Sequence, residues 1–131
     1  MKKPYILCVD DDKTILMSLK IQLKHNLGDT FNYETAESAE EAWEIINELV
    51  DQNKTIPVII SDWMMPKTKG DEFLISVHQK FPSINKFILT GHADEKAIIR
   101  VKEQANLKGC LGKPWDINEL IELIKKAVDI S

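Results

Sequence analysis

The sequence has no apolar run that approaches a membrane span, which needs about 20 residues. Its N-terminal segment, MKKPYILCVDDD, has too short an apolar stretch for a signal peptide. It has no cluster of about five or more Lys and Arg residues, and its formal net charge of −4 argues against a nucleic-acid-binding surface. We therefore expect a soluble protein that contacts neither membranes nor nucleic acids directly.

Cysteine is scarce, and Cys8 and Cys110 do not make a disulfide framework. On strands one and five of the sheet inferred below, they would lie about three strand spacings, or roughly 14 Å, apart. A disulfide joins residues whose Cα atoms are at most about 7 Å apart. The thiols are therefore expected to be reduced, which favours a cytoplasmic protein.

No repeat, low-complexity tract or flexible linker interrupts the chain, so residues 1–131 are expected to form one domain. Short β-branched runs alternate with helical patterns throughout. The expected strands are residues 5–9, 31–35, 58–61, 87–89 and 109–112. The expected helices are 13–27, one opened by Ser38 with Glu41, 70–80, 93–104, and one opened by Asp116 with Glu119.

These strand–helix units predict an α/β fold, in which a doubly wound, five-stranded parallel sheet carries helices on both faces. The flavodoxin-like strand order 2-1-3-4-5 would place strands one and three side by side. In that order Asp10 and Asp11, which follow strand one, lie next to Asp62, which follows strand three.

Five polar residues stand where apolar runs end: Asp10, Asp11, Asp62, Thr90 and Lys113. Ligands of open parallel sheets bind at the carboxyl ends of the strands, so these side chains are expected to gather at one edge. Three carboxylates, a hydroxyl and an ammonium can hold a divalent cation and move a phosphoryl group. The sequence therefore predicts a site of that kind.

Three consecutive aspartates follow the first strand, and helix capping explains one of them, most plausibly Asp12. Mutual repulsion between the others is relieved by a hard cation, and Mg²⁺ prefers carboxylate, water and phosphate oxygens. The same loop has no glycine, so it does not fit the pyrophosphate-binding turn of a dinucleotide site.

Asp62 is the natural nucleophile of this set, because an ionised carboxylate can form an aspartyl phosphate. Thr90 could donate a hydrogen bond to one phosphoryl oxygen, and Lys113 a charge-assisted bond to another. Each signal is weak alone, since a Thr or Lys at a strand end is usually structural. The prediction rests on all of these residues together, because suitable side chains follow four different strands.

The motifs VDDD, SDWMMP, ILTG and GKP, each after a strand, make the chain resemble the receiver domain of two-component response regulators. The resemblance spans essentially the whole chain. It implies that Asp62 is the phosphoacceptor and that Thr90 and Lys113 contact the phosphoryl group. It also implies a Mg²⁺ site formed by Asp10, Asp11, Asp62 and the backbone carbonyl of Met64.

The resemblance further implies how such a domain works. A phosphohistidine on a sensor histidine kinase or phosphotransfer protein would be the donor, and an output domain or target protein would be switched. The domain would catalyse its own phosphorylation and slow dephosphorylation without being a turnover enzyme. The Lys113–Pro114 peptide is commonly cis in the family, although base rates alone favour trans.

One position departs from the family pattern. Receivers often carry Tyr or Phe three residues before the lysine, where this chain has Cys110, which is too small to fill the same space. Trp115, which follows Pro114, is interpreted as a structural tryptophan, and the alternative is that it replaces part of the missing aromatic bulk. Met64 and His92 resemble the variable positions that set the lifetime of the phosphorylated state, although His92 fits a surface loop equally well.

Two alternatives compete with a receiver. A haloacid-dehalogenase-type phosphatase would use Asp10 as its nucleophile, because Asp10-x-Asp12-x-Thr14 fits its opening motif. It requires an acidic pair after Lys113, where only Asp116 stands near, and it leaves Asp62 unexplained. An interaction-only pseudo-receiver is disfavoured by the intact set of site residues.

Overall fold

A computed structural model describes residues 3–91 and 95–129. The five strands are β1 (Tyr5–Val9), β2 (Asn32–Ala36), β3 (Val58–Asp62), β4 (Asn85–Thr90) and β5 (Gly109–Gly112). The five α-helices are α1 (Lys13–Leu27), α2 (Ala39–Asp51), α3 (Gly70–Lys80), α4 (Glu95–Ala105) and α5 (Ile117–Val128).

All strands pair in parallel, in the order β2-β1-β3-β4-β5. Side chains of alternate residues enter two cores on opposite faces of the sheet. Helices α2, α3 and α4 pack over one core, and α1 and α5 cover the other. The predicted doubly wound fold, strand order and two-faced helical cover are confirmed.

The sequence placed most element boundaries correctly. β2 begins one residue later than expected, because a short 3-10 helix, Gly28–Thr30, follows α1. β4 begins two residues earlier, at Asn85, whose amide donates to the Pro57 carbonyl at 2.9 Å. The first two residues of the expected fourth helix, 93 and 94, lie outside the described residues.

Side-chain caps fix where three helices begin. Asp12 accepts hydrogen bonds from the amides of Thr14 and Ile15 at the start of α1, which confirms its capping role. Ser38 accepts from the Glu41 amide at the start of α2. Asp116 caps α5 by accepting from the amides of residues 118 and 119.

Candidate functional site

The carboxyl end of the sheet brings the three predicted acidic residues together. Val9 pairs with Ser61, so the residues that follow, Asp10 and Asp62, emerge side by side from β1 and β3. One oxygen from each of Asp10, Asp11 and Asp62 lies within 4.8 Å of the other two. Asp10 and Asp62 are buried, at 3% and 8% exposure, whereas Asp11 is exposed.

Lys113 joins this cluster from β5. Its Nζ atom lies 2.8 Å from Asp10 Oδ2 and 3.0 Å from Asp62 Oδ1. The Lys113 amide donates to the Thr90 carbonyl at 2.9 Å, which sets the lysine at the end of β5 beside β4. The Lys113–Pro114 peptide is cis, as the resemblance implied. One ammonium therefore bridges two of the three clustered carboxylates.

The electrostatics follow from burial and this bridge. Burial, which disfavours a charged carboxylate, raises the pKa of Asp10, and the nearby Asp62 charge adds to the effect. The Lys113 hydrogen bond opposes it only in part. Burial alone would lower the pKa of Lys113, but hydrogen bonds and charge attraction from both aspartates more than offset this and raise it. Lys113 is therefore a stable cation.

The loop after β1 separates the roles of its three aspartates. Asp10 Oδ1 accepts from the Asp12 amide at 2.9 Å, which holds the loop in a tight turn. Asp12 is committed to capping α1. Asp11 lies between them with an exposed side chain. The geometry thus leaves Asp11 as the carboxylate most open to a cation from solvent.

The first residue of α3, Gly70, lies against the backbone of Asp62 and Trp63 at the end of β3. The Gly70 amide donates to the Trp63 carbonyl at 2.8 Å. A Cβ atom added at Gly70 would overlap the carbonyl oxygen of Asp62. Only glycine permits this approach, and the sequence alone predicts no functional role for Gly70. Its signal was a helix that begins on a poor helix former.

Thr90 lies at the same edge of the sheet as the cluster. Thr90 is buried at 5% exposure at the end of β4, next to β3, and the register pairs Asp62 with Leu89. Trp63 is buried, and Met64 is 57% exposed beyond it. The assignment of the Met64 carbonyl as a metal ligand stays a prediction. His92 lies outside the described residues.

Trp115 and the cysteines also behave as structural residues. The half-buried Trp115 donates its indole N–H to Gln22 Oε1 at 2.8 Å, which ties the segment after Lys113 to α1.

Cys8 and Cys110 are free thiols on β1 and β5, with β3 and β4 between them. Burial raises the pKa of Cys8 to about 12 and also raises that of Cys110, so both stay protonated. The expected absence of a bridge between these two cysteines is confirmed.

The donor set matches a hard divalent cation. Three carboxylates with oxygens this close repel one another, and Lys113 contacts only two of them. Oxygen ligands in this number suit Mg²⁺, which usually takes one or two carboxylates and completes its shell with water or phosphate oxygens. Asp10, Asp11 and Asp62 therefore fit a metal site.

Comparisons with known proteins agree with this geometry. The sequence model of the response regulator receiver domain matches residues 6–125. The hydrogenase transcriptional regulatory protein HoxA of Cupriavidus necator is 29% identical over 128 residues, and the DNA-binding transcriptional regulator NtrC of Escherichia coli is 30% identical over 128 residues. Each match covers 98% of this chain and 25% of the relative, so the chain spans about a quarter of their length.

Solved structures show the same similarity. A response regulator receiver domain protein from Clostridium thermocellum is 32% identical, with a TM-score of 0.80 over 96% of this chain and 94% of that one. The signal receiver domain of an HD domain-containing protein from Pseudomonas fluorescens is 27% identical, with a TM-score of 0.85 over 98% of this chain and 96% of that one. The chain therefore belongs to the response regulator receiver family and is a receiver domain of two-component signalling.

Proposed function

We propose that Asp62 accepts a phosphoryl group from a phosphohistidine in a Mg²⁺-dependent reaction. The observation that carries this proposal is the Lys113 ammonium, held 3.0 Å from Asp62 Oδ1 and 2.8 Å from Asp10 Oδ2. A fixed cation beside a carboxylate nucleophile stabilises negative charge that gathers on a transferring phosphoryl group.

In this step a carboxylate oxygen of Asp62 forms a bond to phosphorus as the P–N bond of the donor breaks. The electron pair of that bond stays on the imidazole nitrogen, which takes up a proton. Lys113 donates a charge-assisted hydrogen bond to one phosphoryl oxygen and Thr90 a neutral one to another. Asp62 is buried at the end of β3, beside β4, which supplies Thr90, and Lys113 reaches it from the end of β5, one strand further along the sheet.

Asp10, Asp11, Asp62 and the Met64 carbonyl would hold the Mg²⁺ ion. When bound, the ion would neutralise charge on the phosphoryl oxygens and on the crowded carboxylates. Asp10 fits a supporting role, because its oxygens already accept from the Asp12 amide and the Lys113 ammonium. The bond from the Asp12 amide also ties one Asp10 oxygen to the loop backbone, which argues against the haloacid-dehalogenase-type alternative.

The domain would act as a switch, with self-catalysed phosphorylation and slow dephosphorylation, and without turnover of a released substrate. A sensor histidine kinase or phosphotransfer protein is the proposed donor. Met17 and Ile21 lie four residues apart on α1 and are 65% and 62% exposed. They offer such a partner an apolar strip that begins about one helix turn after Asp12.

The place of the domain in its protein is also proposed. Residues 1–131 would form one receiver domain, and an output domain or target protein would read its state. HoxA and NtrC are transcriptional regulators about four times as long as the region they share with this chain. Among the described residues no helix has the length and hydrophobicity of a membrane span. We place the domain in the cytoplasm, where histidine kinases present their phosphohistidine.

Intact-mass measurement tests the proposed acceptor. Incubation with acetyl phosphate and Mg²⁺ should add one phosphoryl group that is lost at alkaline pH, and Asp62→Asn should abolish the addition. Asp10→Asn, an equally conservative change in the same cluster, should slow it without abolishing it. Modification that persists in Asp62→Asn and disappears in Asp10→Asn would support the phosphatase alternative instead.

A further inference from the structure

The backbone of Lys113 is fixed from one side by the sheet. Its amide donates to the Thr90 carbonyl at 2.9 Å, which continues the pairing of β4 with β5. The neighbouring residues Gly112 and Pro114 are both exposed, so neither fixes the lysine by packing in a core. The position of the Lys113 backbone therefore depends also on what holds the chain after Pro114.

Trp115 holds the chain at that point by a bond to α1. Its indole Nε1 donates to Gln22 Oε1 at 2.8 Å, and the two residues are 93 positions apart in the chain. The ring is half-buried and packs against the core that α1 and α5 cover. Because an indole N–H that leaves water needs an acceptor, Gln22 satisfies a group that is otherwise costly to bury.

Gln22 lies on a helix that also fixes the acidic loop. Leu23, the next residue, is fully buried, so α1 is held firmly against the sheet at this point. The same helix begins at its cap, Asp12, whose amide donates to Asp10 Oδ1 at 2.9 Å. One helix thus holds the carboxylates at its start and, through Gln22, the segment that carries Lys113.

We infer that Gln22 is a positioning residue for phosphoryl transfer and acts on Lys113 through Trp115. The Lys113 side chain is 18% exposed, and its Nζ atom lies 2.8 Å from Asp10 Oδ2 and 3.0 Å from Asp62 Oδ1. A displacement of its backbone changes both distances. Misplacement of a reacting group by about 1 Å can lower a rate ~100-fold. The inference rests on the proposed phosphorylation of Asp62.

A double-mutant cycle on the rate of phosphorylation tests the inference. Gln22→Leu keeps the approximate size of the side chain and removes the acceptor, and Trp115→Phe keeps an aromatic ring and removes the donor. Each should lower the limiting rate with acetyl phosphate at saturating Mg²⁺ about tenfold, within the range that misplacement produces. In the Trp115→Phe background, Gln22→Leu should lower the rate no further, because the bond is already absent.

Three further measurements separate positioning from a general loss of stability. Gln22→Glu keeps an acceptor oxygen and should retain most of the wild-type rate. The Mg²⁺ concentration that gives half the limiting rate should change little in Gln22→Leu, because the proposed metal ligands stay in place. The carbon-13 NMR signal of Lys113 Cε, identified by its absence in Lys113→Arg, should shift in Gln22→Leu, because the surroundings of the ammonium change.

Gln104→Leu is the matched control, because it is the same substitution at an exposed position of α4 and should leave the rate and the Lys113 signal unchanged. A Gln22→Leu variant that gains the phosphoryl mass at the wild-type rate would overturn the positioning role alone. A lower rate with an unshifted Lys113 signal would overturn it too, as would losses that add in the double variant. A wild type that gains no mass would overturn the proposed function and the inference with it, so the two failures are distinguishable.

Discussion

Lys113 and Asp10 form an ion pair between two residues more than 100 positions apart in the chain, with Nζ 2.8 Å from Oδ2. The same ammonium lies 3.0 Å from Asp62 Oδ1. One lysine at the end of β5 thus compensates two buried carboxylates at the ends of β1 and β3. This arrangement links the stability of the domain to its phosphoryl chemistry.

Lys113→Met should therefore weaken both properties. Without the ammonium, buried Asp10 and Asp62 lose their shared cation, and the free energy of unfolding in EDTA should fall by about 2 kcal/mol. The rate of phosphorylation by acetyl phosphate should also fall. Lys113→Arg keeps the charge and should retain more of the stability. Urea denaturation that shows Lys113→Met to be as stable as the wild type would contradict the role of the bridge.

Asp11→Asn should separate charge repulsion from metal binding. Asp11 is the exposed member of the acidic cluster, and its carboxylate oxygen lies within 4.8 Å of those of Asp10 and Asp62. Removal of its charge should raise the melting temperature in EDTA, because mutual repulsion falls. Mg²⁺ at 100 times its dissociation constant should stabilise the wild type by about 2.7 kcal/mol, and the variant should lose most of that gain.

An Asp11→Asn variant that has a lower melting temperature than the wild type in EDTA, and that Mg²⁺ stabilises as much as the wild type, would contradict this metal site. Asp12→Asn provides the contrast. Asp12 caps α1, and Asn caps nearly as well, so this neighbouring change should leave the response to Mg²⁺ largely intact.

Gly70→Ala should disturb the backbone at Asp62, the proposed phosphoacceptor, without removing any charged group. The new Cβ atom would overlap the Asp62 carbonyl oxygen, so either the backbone at Asp62 or α3 must move. We expect a loss of unfolding free energy of about 1–3 kcal/mol and slower phosphorylation. Gly91→Ala is the matched control, since a Cβ atom there meets nothing within 4 Å. A stable and fully active Gly70→Ala would show that the close approach is unimportant.

Lys86 predicts a pH dependence in which stability rises in alkaline solution. Its side chain is fully buried in β4, with Nζ bonded to the Ile84 carbonyl at 2.6 Å. Burial, with a smaller contribution from Lys108, lowers its pKa from 10.5 to about 8. Between those two values the unfolded chain binds more protons than the folded one, so the free energy of unfolding rises with pH.

Lys86→Met should remove that rise and should stabilise the protein at pH 7 by up to about 3 kcal/mol. Urea denaturation of the two proteins from pH 7 to pH 10 measures the difference, which should shrink as pH increases. Lys24→Met, at an exposed position on α1, serves as the control for loss of a positive charge. A constant difference across this range would mean that Lys86 does not titrate in the folded protein.

The sequence predicted the fold and the site well where a local pattern of residues has one physical interpretation. Short β-branched runs end at polar residues, and parallel strands bring such ends to one edge of the sheet. The sequence alone therefore predicts that Asp10, Asp62 and Lys113 lie close together. Capping by Asp12 could also be expected, because its side chain precedes a helical pattern. In these cases local chemistry and topology point to the same answer.

The sequence could not reveal contacts that depend on tertiary packing. Lys86 is polar, so the strand was expected to begin after it, yet β4 carries it fully buried. Asp71 and Arg100, which form an ion pair, are 29 positions apart and lie on two different helices. The hydrophobic periodicity of each helix does not determine how the two helices are rotated relative to each other, so the sequence does not predict this ion pair. Glycine at position 70 is explained only by the carbonyl of Asp62 that lies against it.

The most direct test of the central claim is chemical trapping of the phosphorylated residue. Borohydride reduces an aspartyl phosphate to homoserine, and tandem mass spectrometry of the digested protein then locates the change. After incubation with acetyl phosphate and Mg²⁺, we expect homoserine at position 62 in the wild type and at no position in Asp62→Asn. Homoserine at position 10 of the wild type, with Asp62 unmodified, would contradict the account.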